Sequence, residues 1–211
     1  MSKEDVCAVI IEAIQGVGGL DMPTKGFMKQ VEQNCRETNT CLIADEVQSG
    51  FGRSGKFFAF QHYAITPDII SMAKGMGNGF PVGGILAHPD IKPWYGMLGT
   101  TFGGNHLACQ ASLAVLEVLK KKNLLEHATK LGESFTQRAK QIPAIKKIKG
   151  LGLMLGLEFD FEVGELRKKL IYEHNIFTGG SSNKKLLRIL PPLTVQKKHL
   201  DQFFDALENV L

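Results

Sequence analysis

The 211-residue sequence has no apolar stretch long enough to span a membrane, and residues 1–5 are polar rather than signal-like. A cytoplasmic protein with no membrane partner is expected. CxxC spacing is missing too: Cys7, Cys35, Cys41 and Cys109 stand apart, with no histidine at metal-ligand distance in sequence. That argues against a zinc site or a disulfide framework. The apolar runs around Cys7, Cys41 and Cys109 predict reduced thiols buried as small hydrophobes. An excess of one charge is also lacking. The net charge is only +4, and the densest basic runs, at 120–122 and 146–149, read as helix or strand ends. Without a basic stripe, no nucleic-acid partner is expected.

What is present is a folded composition, 44% hydrophobic and 22% charged. Short apolar runs at residues 6–11, 41–44, 68–72 and 82–87 alternate with amphipathic segments at 24–39 and 105–121. Strands alternating with helices predict an α/β layer with a mainly parallel sheet. The run at 6–11 reads as a strand buried on both faces, although only five residues precede it. A further helix is expected at 124–141. The pattern then changes to strands at 145–149 and 152–159, a helix at 162–175, a strand at 186–190 and a helix at 195–211. This ββαβα order predicts a separate α+β domain over 143–211, after a first domain over 1–142.

Three polar features follow successive predicted strands: Asp45, Lys74 beside Gly75, Gly77 and Gly79, and the loop from Gly99 to Asn105. Taken singly, an aspartate after a strand is a cap or turn former and a lysine is a solvated side chain. Together they suit one chemistry. A lysine that forms a Schiff base needs a confined site, because only the free amine is nucleophilic. A carboxylate paired with a pyridinium nitrogen keeps that ring an electron sink. Glycines beside the lysine let backbone approach a bulky cofactor.

The stretch Asp45-Glu46-Val47-Gln48-Ser49-Gly50-Phe51-Gly52-Arg53-Ser54-Gly55, with Thr66-Pro67-Asp68, Ala73-Lys74-Gly75 and Gly79-Phe80-Pro81-Val82-Gly83-Gly84, resembles the class III (ornithine-type) aminotransferases. Thr100-Thr101-Phe102-Gly103-Gly104-Asn105, Gly150-Leu151-Gly152-Leu153 and Leu187-Arg188-Ile189-Leu190-Pro191-Pro192 continue the match along the whole chain. The resemblance implies fold type I of the pyridoxal-phosphate (PLP) transferases, with a partial large domain followed by the small domain. Lys74 would hold PLP as a Schiff base and shuttle the proton of the amino transfer. Asp45 would pair with the pyridine nitrogen, Val47 would pack on the ring, and Gln48 would hydrogen-bond its phenolic oxygen. Thr101 would reach the cofactor phosphate of a neighbouring subunit, which implies a homodimer. Arg188 would grip the substrate α-carboxylate as a bidentate pair.

Within the family, the sequence looks most like the acetylornithine and succinylornithine enzymes of arginine biosynthesis, with amino-acid and 2-oxo-acid substrates. Ornithine and 4-aminobutyrate aminotransferases, a glutamate-semialdehyde aminomutase and a catalytically silent assembly partner remain alternatives. Val17 stands where ornithine-type relatives often carry a glutamate that neutralises the substrate-binding arginine. The family's chains are much longer. The turn that cups the phosphate, the aromatic residue that stacks on the ring and the flanks of the sheet have no counterpart here. This chain is therefore expected to be inactive alone, with an amino-terminal half as a possible partner.

Overall fold

The computed structural model describes residues 5–211, which form two compact units. The first comprises the chain up to Ala13, then Pro23–Phe51 and Phe58–Lys122. The second comprises Ile14–Met22, Gly52–Phe57 and Asn123–Leu211.

In the first unit, β1 (Ala8–Ile11), β2 (Cys41–Asp45), β3 (Ile69–Met72) and β4 (Gly84–Ala87) form one sheet in sequence order. β1, β2 and β3 run parallel, while β4 runs antiparallel to β3. The direction of β4 follows from its connection: the segment between Met72 and Gly84 is too short to carry a parallel crossover, so the chain turns back. The helix between β1 and β2 is α1 (Lys25–Glu37); Thr24 caps its start by accepting the Phe27 N–H at 3.1 Å. Asp68 ties the strand starts together. Its Oδ2 accepts the Leu42 N–H at 2.8 Å, and its Oδ1 takes Nη1 of Arg36 from the last turn of α1 at 2.5 Å. α2 (His106–Lys121) begins at Asn105, whose Oδ1 accepts the Ala108 N–H at 3.0 Å.

Two expectations fail in this unit. The segment at 6–11 is not buried on both faces: Ile10 in β1 is 62% exposed. Among the described residues β1 is an edge strand, with β2 on one side and no strand on the other. The cysteines are also less buried than their apolar neighbours imply, since Cys7 and Cys109 are exposed and Cys41 is half-buried. Only Cys35, on the inward face of α1, is buried.

The second unit holds the antiparallel sheet β5 (Lys147–Leu151), β6 (Met154–Glu158) and β7 (Leu186–Ile189), in that order. Around it pack α3 (Leu124–Ala139), α4 (Gly164–His174) and α5 (Lys197–Val210). Phe135 of α3 meets Phe204 of α5 with ring centroids 4.6 Å apart, beside Leu155 and Leu157 of β6. α3 thus shares the core of the sheet that follows it, so the compact units part at Lys122 rather than at the boundary expected after residue 142. Close approach fixes one residue here. A Cβ at Gly132 of α3 would lie 2.1 Å from the Gly152 carbonyl, so only glycine lets the helix reach the β5–β6 turn. Among the described residues, no helix is long and apolar enough to cross a membrane.

Candidate functional site

The carboxyl ends of β2 and β3 lie side by side, because Asp45 is in register with Ser71. Ligands of open α/β sheets gather at such strand ends. The Ser71 hydroxyl donates to Asp45 Oδ1 at 3.2 Å, and the Val47 N–H donates to the same oxygen at 3.0 Å. Oδ2 of Asp45 accepts no hydrogen bond among the described residues. The carboxylate is therefore oriented by two donors and keeps an oxygen for a third. Val47 and Gln48 are half-buried in the turn that follows β2.

Lys74 lies just beyond the end of β3, as the first residue of a 3₁₀ turn, Lys74–Met76. The turn is closed by the Met76 N–H on the Ala73 carbonyl (2.9 Å) and by the N–H groups of Gly77 and Asn78 on the Lys74 carbonyl (both 3.1 Å). Lys74 has φ +44°, in the left-handed region. That region costs a side-chain-bearing residue about 1–3 kcal/mol and persists only where the surroundings enforce it. The lysine is exposed rather than confined as the sequence led us to expect.

Glu46, beside Asp45, turns the other way. It is 1% exposed, and its carboxylate accepts the Ser49 hydroxyl (2.6 Å) and the N–H groups of Ala59 (2.9 Å) and Phe60 (2.8 Å). Burial pushes its pKa up, an effect that the hydrogen bonds oppose and the Asp45 charge reinforces. Sequence reasoning missed this residue. A second acid after a strand carries no pattern that distinguishes an inward anchor from a solvated neighbour.

Thr101 is exposed in the loop before α2 and makes no hydrogen bond to Asp45 or Lys74 among the described residues. The loop is locally ordered by the Gly103 N–H on Thr100 Oγ1 (3.1 Å) and by the Asn105 amide on the Phe102 carbonyl (2.8 Å).

Arg188 belongs to the second unit, in β7. Its backbone pairs with Gly156 of β6 on one side and exchanges hydrogen bonds of 2.8 and 3.0 Å with Gly179 on the other. The side chain lies along Gly179, where an added Cβ would sit 3.2 Å from Nε. Nε and Nη1 of Arg188 are buried without a hydrogen-bond partner among the described residues. A half-buried guanidinium with unused donors suits an anionic guest such as a carboxylate. Val17 is 57% exposed in the same unit, and its carbonyl accepts the Ser182 N–H at 2.8 Å. Arg53, quoted above only as part of a motif, anchors the stretch that follows β7. Its Nη1 donates to the Pro191 carbonyl, and burial lowers its pKa.

These residues fit the groups of PLP in part. Within the first unit, Asp45 offers the acceptor a pyridinium N–H needs and Lys74 offers an accessible amine at the adjacent strand end. They do not include a phosphate cup.

Residues 1–211 match the family described as Aminotransferase class-III. An acetylornithine aminotransferase from Methanosarcina mazei is 40% identical over 209 residues, covering 98% of this chain and 52% of its own. An ornithine aminotransferase from Exiguobacterium is 39% identical, covering 99% of this chain and 53% of its own. A solved ornithine aminotransferase from Toxoplasma gondii, described with partial occupancy of PLP at its active site, superposes with a TM-score of 0.87 at 31% identity. That structure matches 96% of this chain over 50% of its own. The chain spans about half the length of the curated relatives it matches. With motifs, strand order and full-length family match in agreement, the chain belongs to the class III aminotransferases, a family of PLP enzymes.

Proposed function

We propose that this chain carries the cofactor lysine of an aminotransferase that moves the ω-amino group of N-acetylornithine or N-succinylornithine to 2-oxoglutarate, in arginine biosynthesis. The observation that carries the reading is the placement of Asp45 and Lys74 at the ends of adjacent parallel strands, with Asp45 Oδ2 still able to accept. When bound, PLP supplies an aldehyde carbon for amine exchange and a ring that delocalises the charge left on the substrate carbon.

The chain's own residues have separate tasks. The Lys74 amine would hold the cofactor and, when free, would serve as the base that moves the substrate proton. Asp45, held by Ser71 and the Val47 N–H, would keep the ring nitrogen of a bound cofactor protonated. Val47 would pack against the cofactor ring, and Gln48 would donate a hydrogen bond to it. Arg188 grips the substrate α-carboxylate through Nε and Nη1, which have no hydrogen-bond partner among the described residues. Thr101 serves the phosphate of a partner subunit, so the working form is a homodimer.

Relatives bearing acetylornithine and ornithine names match almost equally, which supports an ornithine-type substrate more firmly than an acylated one. Because those relatives are about twice as long, we propose that turnover requires residues outside this sequence and that the 211-residue chain is inactive alone. PLP added to the purified chain and to Lys74→Ala tests the cofactor reading by near-ultraviolet and blue absorbance. A Schiff-base band in wild type only supports it; equal spectra from two folded proteins count against it.

A further inference from the structure

We infer that Phe51, held in place by Glu46, is a positioning residue for Lys74, an inference that rests on Lys74 being the cofactor lysine. β2 ends at Asp45, and the buried Glu46 carboxylate closes the following turn through the Ser49 hydroxyl and the N–H groups of Ala59 and Phe60. The Gly50 N–H returns to the Glu46 carbonyl at 3.0 Å, and a Cβ at Gly50 would lie 2.7 Å from that oxygen, so the turn is tight. The next residue, Phe51, is also left-handed, with φ +57°. It is 5% exposed, and its ring sits edge-on to Phe58 with centroids 6.4 Å apart. A bulky residue holds that conformation only where packing enforces it.

Phe51 lies directly over the lysine turn. A Cβ at Gly75 would be 3.3 Å from Phe51 Cβ and 3.9 Å from its Cγ. Lys74, one residue earlier, has φ +44°. Two left-handed residues bearing side chains thus meet across Gly75. The hydrogen bonds inside the lysine turn close it without choosing its placement. The Phe51 β- and γ-carbons, at the end of the turn that Glu46 closes, set the point at which the Lys74 side chain leaves the backbone.

The test uses the 211-residue chain as wild type, Phe51→Gly, Phe51→Leu and Glu46→Gln. The three-bond HN–Hα coupling and the Cα and Cβ shifts of Lys74 report its φ without any cofactor. A second readout is the rate at which PLP with borohydride labels Lys74. Phe51→Gly and Glu46→Gln lose the left-handed signature and label Lys74 roughly tenfold more slowly or worse, because a misplaced reacting group loses effective concentration. Phe51→Leu keeps Cβ and Cγ and retains both signals, although it also loses the buried ring. A left-handed signature unchanged in both Phe51→Gly and Glu46→Gln overturns the inference, as does its loss in Phe51→Leu. A signature lost as expected, in chains that never label Lys74, upholds the brace and overturns the cofactor reading.

Discussion

At the scale of single residues, neighbouring acids with opposite orientations define the strand end. Asp45 faces an open side and is held by Ser71 and Val47, whereas Glu46 is enclosed and accepts three hydrogen bonds. Burial raises the folded-state pKa of Glu46 above its value in the unfolded chain, about 4.3 for a free glutamate. The sign follows by linkage: the folded state holds this proton more tightly, so the contribution is full below the unfolded pKa. It is lost as pH rises through the folded pKa. Ser49 can accept the carboxyl proton by rotating its hydroxyl, which gives the neutral form a partner. Urea midpoints across the acid range should show the advantage of wild type over Glu46→Gln shrinking as pH rises; a constant or growing gap contradicts the assignment. The place of Asp45 at a strand end was legible in the sequence because an apolar run precedes it and a motif surrounds it. The role of Glu46 was not, because inward and outward acids at a strand end look the same until the loop carrying Ala59 and Phe60 is placed. The left-handed backbone at Lys74 was also hidden, since lysine is not a residue that announces positive φ.

At the scale of elements, hydrophobic runs gave the strands and helices to within a few residues, since burial on one face imposes its period on the sequence. Direction and allegiance were harder to read. β4 has the apolar run of a parallel neighbour, and only its short connection makes it antiparallel. α3 follows the first sheet in sequence, yet Ala128, Phe135 and Ala139 lie in the core of the second. Phe135→Ala should therefore cost about 3–5 kcal/mol, through the lost burial and the cavity left between α3 and α5. Gly132→Ala should destabilise by about 1–3 kcal/mol, because its Cβ would drive into the Gly152 carbonyl unless α3 withdraws. Denaturant melts of both variants check these values, and a neutral Gly132→Ala contradicts the close approach. β1 provides a contrasting case. Ile10→Lys on this exposed edge should change stability by less than about 0.5 kcal/mol while lowering aggregation, as seen by light scattering. A large loss of stability would mean that Ile10 has a partner in this chain.

At the scale of the whole molecule, the family assignment and the site carry different weights. The family match runs the length of the chain, while the curated relatives continue for about as many residues again. The same contrast was legible in the sequence, where the motifs around Asp45, Lys74 and Arg188 resemble the family's without the turn expected to cup a phosphate. The first unit leaves Ile10, Ile85, Leu86, Trp94 and Leu107 among its exposed apolar residues. The pattern records a larger surface to be covered than these residues cover themselves. The central claim is that Lys74 is the amine that takes PLP at this strand end. Its most direct test is to incubate the chain with PLP, reduce with borohydride and map the modified lysine by peptide mass spectrometry. The account predicts pyridoxyl label concentrated on Lys74 and reduced in Asp45→Ala. Label spread over the surface lysines with Lys74 no more reactive than the rest would contradict it.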